Sequence, residues 1–489
     1  MQPIQQRGDF IGAGGVFLVL SLLAHPACSQ PAGAGSAAAP TPAAPAAPAQ
    51  EAPAPGLTQP VPGKGGVAAE KTRSYDDFER PQACAGCHRD IFQQWEQSMM
   101  AQAFTHEWDE IEYFDLAVPH AAREPKVAAV KAECNGCHTP MAFLAGDVPP
   151  PRPAKRSRAN EGVSCDVCHV IRGSATARPF NFSYVVEPGK TKVGPRGDRE
   201  SPHHATMKLD FISTAEYCGT CHNEQSPYGV WVKSTQIEYA EGPYPRMGLK
   251  CHDCHMPKAE GKISSTSNGT EVSHQHLFFG AHVDSKIRGA IELRMHADRR
   301  EVEPGETVKL TLYLFNAKAG HKIPSGSVED RQLYVHVEAR DAKGAVTHLP
   351  VDRKGFPGEE YTLASDELAW HDLGEARGIA DFPGLPRDGL PIGDRIFRQA
   401  YLNPRGALTI MQWYTASLGV DYRIGPLETK VETYTFKVPV NAPPGPLVVQ
   451  ATLNYRLLVK TIGDHLGVPA EETADRLIND TTTTLTVLD

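Results

Sequence analysis

The sequence predicts a multidomain chain: a mostly α-helical, irregular region followed by an all-β sandwich of immunoglobulin-like type. Two observations carry this. Ten of the 11 cysteines fall into five Cys-x-x-Cys-His segments, all in the first part of the chain. Beyond residue 290 cysteine disappears, and apolar residues alternate with polar ones at the period of a half-buried strand. A chain of 489 residues exceeds one ordinary domain, and its hydrophobic fraction of 40% suffices for globular cores. The net charge of −9 and the lack of any Lys/Arg block argue against a nucleic-acid partner.

Residues 1–29 read as a signal peptide: Arg7, an apolar stretch over 11–23, then small residues over 24–29. The stretch is short for a membrane span and is interrupted by glycines. Cleavage after Ser29 uses Ala27 and Ser29 as the small residues. The alternative is a cut before Cys28 with a lipid anchor on that cysteine, although His25 stands where such signals usually carry Leu. Residues 30–72 are almost all Ala, Pro, Gly, Gln and Glu, a composition that forms an extended spacer rather than a core. The chain is therefore expected in the periplasm or on the surface of a bacterium.

The region 73–290 holds Cys84/Cys87/His88, Cys134/Cys137/His138, Cys165/Cys168/His169, Cys218/Cys221/His222 and Cys251/Cys254/His255. Two thiols one turn apart can each add to a vinyl group on the same porphyrin edge, and the adjacent His then lies under the iron. Zinc ribbons and redox dithiols use Cys-x-x-Cys too, but neither calls for a His after every second Cys. Five covalent haem c groups are the expectation. Hydrophobic periodicity is weak here, so porphyrins are expected to form much of the core, with helices near 90–103 and 126–134 and loops at 146–153 and 187–202. Candidate sixth ligands to iron are His106, His120, His203, His204, His274, His276, His282 and Met100. His252, His296, Met99, Met141, Met207 and Met256 rank behind them.

The region 291–489 shows alternating runs at 308–314, 333–339, 431–438, 447–457 and 482–488, separated by Pro/Gly turns. Residues 355–425 read as a long irregular insertion, and a helix is expected over 470–478 behind Pro469. With no cysteine, this domain holds no covalent haem.

Trp95, Ser98 and Ala101 after the first motif, Glu161-Gly-Val-Ser-Cys165, and Met256-Pro257 after the fifth together resemble the tetrahaem cytochrome c family typified by the electron carrier of ammonia oxidisers. Residues 274–282 are similar to the family region that often supplies distal histidines. Gly320-His321-Lys-Ile-Pro324-Ser-Gly326 is similar to a Gly-His-x-x-Pro-Thr-Gly segment of multihaem relatives with an appended β domain, so His321 either reaches back to a haem or sits in a turn. Two departures stand out: five motifs replace four, and Met100 stands where the family carries His.

The resemblance implies an electron carrier working between redox partner proteins. Two alternatives stay open. One is an oxidoreductase acting on hydroxylamine or a small nitrogen or sulfur oxyanion at a five-coordinate haem. The other is a subunit of a conductive filament.

Overall fold

The structure, a computed structural model, describes residues 72–197, 200–353, 372–377 and 386–489. The expected signal peptide, Cys28, nearly all of the Ala/Pro-rich spacer and part of the 355–425 insertion lie outside these residues. Among the described residues no helix is long and apolar enough to cross a membrane.

Each motif sits on or beside a short helix: Pro81–Ala85, Val130–His138, Cys165–His169, Ala215–His222 and Cys251–His255. Local caps start three of them. Ser164 Oγ accepts from Val167 N–H at 3.4 Å, Thr214 Oγ1 from Tyr217 N–H at 3.3 Å, and Asp253 Oδ2 from Lys250 N–H at 2.8 Å. The helix expected over 90–103 spans only Arg89–Glu96. That expected over 126–134 is a 3₁₀ turn at Pro125–Val127 followed by Val130–His138. The 187–202 loop contains a short strand, Thr191–Gly194, paired in parallel with Ala205–Lys208.

The C-terminal half is a sandwich of two sheets. In the smaller, Thr307–Asn316 lies between Ile291–Ala297 and Thr429–Lys437, both antiparallel to it. Val308, Leu310, Leu312 and Leu314 are fully buried while Lys309 and Tyr313 face solvent, which is the alternation seen in the sequence. Each such side chain contributes about 1.5–3 kcal/mol by leaving water. The larger sheet runs Glu301–Val302, Arg476–Val487, Gly445–Arg456, Gln332–Arg340 and Val346–His348, with Arg395–Phe397 also on Gln332–Arg340. One apolar cluster, from Ile291 and Leu310 to Val335, Leu453 and Leu485, fills the space between the sheets.

Two sequence expectations need correction here. No helix occupies 470–478: Arg476–Val487 is a strand paired along Gly445–Arg456, and the helix lies earlier, at Lys460–Leu466, closed by Gly467 at φ +75°. The insertion is also less irregular than expected. Beyond residue 386 it supplies Arg395–Phe397, the antiparallel pair Gln399–Leu402 and Ser417–Asp421, and a 3₁₀ turn at Gln412–Tyr414.

The helical region has an apolar core of its own, with Phe78, Met141, Leu144, Val167, Ile171 and Tyr184 at its centre. A second cluster joins the two halves: Phe104, Trp108, Tyr113 and Leu116 meet Ile396, Met411, Trp413, Leu458 and Ile462. The β domain is therefore packed onto the motif region through its insertion and its C-terminal helix.

Candidate functional site

A cavity of about 1340 Å³ runs through the helical region, and His88, His138, His169 and His222 all line it. None of the ten motif cysteines is held in a disulfide, so no S–S bond competes for their thiols.

Cys254 differs from the other motif cysteines. It is exposed, whereas the other nine motif cysteines are half-buried, and it stands outside the lining of the cavity. The reason is the position of its helix. Cys251–His255 has no buried residue, and Lys286 Nζ donates to the Cys254 carbonyl at 2.6 Å from the exposed side. Cys254 keeps its place on the turn between Cys251 and His255, with Cys251 half-buried and Cys254 exposed.

Three motif histidines face a second imidazole. Ring centres lie 6.3 Å apart in His88–His204, His169–His276 and His255–His321, with planes 27°, 26° and 22° apart. Two metal–imidazole bonds of about 2 Å plus two ring radii add to roughly 6 Å, so the gap fits one metal ion held from both sides. In each of these six residues except His255, a described hydrogen bond joins Nδ1 to a backbone carbonyl. The acceptors are Ile263, Ala205, Val193, His274 and Lys322, at 2.7, 3.2, 2.7, 3.1 and 2.8 Å. Nδ1–H donating to a carbonyl fixes the tautomer and leaves Nε2 as the free lone pair. Burial, reinforced by the neighbouring imidazole, lowers His255 to about 3 and His276 to about 4, so both stay neutral and able to ligate.

The His321 ring stands 6.3 Å from that of His255, in the fifth motif. Its loop is clamped by Glu238, on helix Thr235–Glu241 of the motif region. Glu238 Oε2 accepts from Ser325 Oγ at 2.7 Å and from Lys322 N–H at 3.2 Å, while Oε1 pairs with Arg423 at 2.6 Å.

His138 and His222 are different. His138 donates Nδ1–H to the Ala103 carbonyl at 2.7 Å, with Asp109 Oδ1 at 3.5 Å. His222 is exposed to the cavity that it lines. Among the described residues no imidazole stands opposite either one at the spacing of the three pairs. Polar groups gather nearby instead. Burial raises Glu133 to about 7 and Asp330 to about 6, and raises Glu112 and Glu329 as well. Burial alone would lower Lys233, but the carboxylates of Glu224, Glu329 and Glu112 outweigh it, and its ammonium sits 2.8 Å from Glu224.

The other sequence candidates stand in no such pair, although His106, His274 and His282 also line the cavity. His203 is exposed and 3.0 Å from Glu79. His106 lies between Asp109 and Glu472, at 3.0 and 3.3 Å, with His282 edge-on to it. His274 bonds the Met256 carbonyl and meets His252 edge-on. His120 is a core residue whose Nδ1 accepts from Trp413 Nε1–H at 3.0 Å. Met99, Met100 and Met256 line the cavity, Met141 is fully buried in the core, and Met207 and His296 are exposed.

Residues 83–170 match the family described as cytochrome c554 and c-prime. The chain is also similar to the penta-heme cytochrome c552 from Thermochromatium tepidum, at 20% identity. That likeness covers 84% of this chain and 99% of the other, with a TM-score of 0.60. The fold is that of a multihaem c-type cytochrome. The β domain of this chain falls within the matched fold. A likeness to the sporulation control protein Spo0M from Bacillus subtilis has a TM-score of 0.14 over 41% of this chain and 49% of that one, at 12% identity, and carries no argument. No curated protein matches the sequence.

Proposed function

We propose that this cytochrome is exported, holds five covalent haems on its five motifs, and passes electrons along them between redox partner proteins. The observation that carries the reading is the contact between cysteines of different motifs. Cys84 interacts with Cys165, Cys137 with Cys221, and Cys218 with Cys251. Cys168 and Cys221 also lie within each other's electrostatic reach. Since each cysteine marks a porphyrin edge, these contacts join motifs one, three, four, two and five into one connected array. The exposed Cys254 puts one edge of that array at the surface, where a partner protein could exchange electrons with it. Haem iron supplies a one-electron couple whose potential follows its axial ligands and burial. The chain supplies imidazole pairs at motifs one, three and five, fixed tautomers, and an apolar enclosure. The five motifs and the penta-heme relative support the count of five.

One observation favours a second reading. His138 and His222 face no imidazole among the described residues, and ionisable groups stand near, as a reductase or oxidase of a small nitrogen or sulfur compound requires.

Electron paramagnetic resonance of the oxidised holoprotein, repeated with nitrite and with hydroxylamine, separates the two. Signals indifferent to both compounds support the carrier. A stoichiometric high-spin signal that shifts on addition, followed by turnover, overturns it in favour of the enzyme.

A further inference from the structure

The larger sheet is split along one edge. Val346–His348 pairs with residues 338–340 of the strand Gln332–Arg340, and Arg395–Phe397 pairs with residues 333–335 on that same edge. The gap between the two short strands opens beside His336. His348 ends one short strand and Asp394 immediately precedes the other, so three chain segments meet there. Gly393 permits the approach: at φ +106°, a Cβ there would sit 2.4 Å from Pro350 Cβ. Val351 N–H donates to the Gly393 carbonyl at 3.0 Å, and Arg387 Nη2 donates to the Asp394 carbonyl at 2.7 Å, fixing the junction.

Three side chains converge in this gap. His336 Nδ1 lies 2.8 Å from Asp394 Oδ1, and His348 Nε2 lies 2.9 Å from the same oxygen. The two rings are 4.9 Å apart and within 3° of parallel. One ligand atom from each residue lies within 4.8 Å of the others. The Asp394 side chain is 1% exposed, the imidazoles 28% and 31%. Asp394 Oδ2 is buried and takes no hydrogen bond.

We propose that His336, His348 and Asp394 form a binding site for one divalent transition-metal ion of the zinc or copper(II) class. Two imidazoles and a carboxylate are donors that suit those ions, and the partly exposed side leaves a position for water. Bonds of about 2.0–2.2 Å around a tetrahedral ion set donors roughly 3.3 Å apart, so each imidazole nitrogen needs to move from the Asp394 oxygen by about half an ångström. Half-exposed imidazoles allow that movement. Glu338 Oε2, 3.8 Å from His336 Nε2, stands where a carboxylate orients a ligating imidazole through its other nitrogen. A site satisfied by hydrogen bonds alone uses one carboxylate oxygen twice and leaves the other buried without a partner. A cation gives that carboxylate a charge to face.

The test uses the holoprotein, stripped with a chelator and dialysed, then titrated with Zn²⁺ by calorimetry and with Cu²⁺ by electron paramagnetic resonance. One equivalent of Zn²⁺ is expected, and a Cu²⁺ signal split by nitrogen. His348→Gln and Asp394→Asn are expected to abolish that equivalent while leaving the haem absorption spectrum unchanged. Should Asp394→Asn fail to fold, the half-exposed His348→Gln and His336→Gln carry the test. Wild-type protein that takes up no Zn²⁺, or His348→Gln that takes up the same equivalent, overturns the site.

Discussion

Arg423 and Glu238 form a 2.6 Å ion pair in which both side chains are almost wholly buried, and it bridges the β domain and the motif region. Glu238 also holds Ser325 and the Lys322 amide, and Arg423 Nη1 donates to the Pro324 carbonyl at 3.3 Å. The pair thus fixes the loop that presents His321 to His255. Removing one partner of a buried pair costs about 3–5 kcal/mol when the other charge is left uncompensated, but Arg423 keeps Asp421 at 2.8 Å. Glu238→Ala is expected to lower stability in denaturant titrations, by less than that range. It is also expected to free His321, seen as a change in one haem's spin state before global unfolding.

The imidazole pairs predict a selective mutational pattern. His204→Ala, His276→Ala and His321→Ala should each convert one low-spin haem signal to high spin. His203→Ala should convert none, because His203 faces Glu79. Electron paramagnetic resonance of each oxidised variant, quantified against total haem, reads the result. A spin change in His203→Ala, or none in the other three, contradicts the pairing.

Gly162 joins the first and third motifs by a backbone that only glycine accepts. At φ +55° and ψ −132°, a Cβ there would lie 2.7 Å from the carbonyl oxygens of both Met100 and Ala101. The next residue holds both sides together: Val163 N–H donates to the Met100 carbonyl and the Val163 carbonyl accepts from Trp95 Nε1–H, each at 2.9 Å. Gly162→Ala should cost about 1–3 kcal/mol of strain or more, measured by urea unfolding.

The parts of this protein legible in the sequence were those with a local cause. Thr307–Asn316 could be read because one face of the strand is buried along its whole length. The motifs could be read because two thiols and an imidazole must share one helical turn. How deep each turn lies could not, and Cys254 at the surface is the example, since burial depends on what the rest of the chain packs over it. The distal histidines could not be sorted either, because the pairs His88–His204, His169–His276 and His255–His321 form only when distant segments close on each other. His203 and His204 are adjacent and chemically identical, yet only His204 faces a motif histidine. The helix misplaced to 470–478 shows the same limit. Strand pairing of Arg476–Val487 with Gly445–Arg456 overrides a local helical tendency, while Gly467 was the available stop signal for the true helix at Lys460–Leu466.

His120 gives the protein an acid-sensitive joint between its two halves. Its Nδ1 accepts from Trp413 Nε1–H, so that nitrogen must be unprotonated, and Tyr414 packs edge-on against the ring at 4.7 Å. Burial holds its pKa below the ordinary histidine value. The unfolded chain therefore binds the proton more readily than the folded one, and stability rises with pH wherever the two differ. The contribution is complete above about pH 6.5 and is lost as pH falls from there toward the folded-state pKa, at no more than about 1.4 kcal/mol per pH unit for one proton. His120→Gln, which can still accept from Trp413 but does not titrate, should flatten the pH dependence of the unfolding midpoint between pH 7 and 5. It should leave the haem spectrum unchanged, because His120 faces no motif histidine. An unaltered pH slope in that variant would mean that the acid response of the joint lies in other groups.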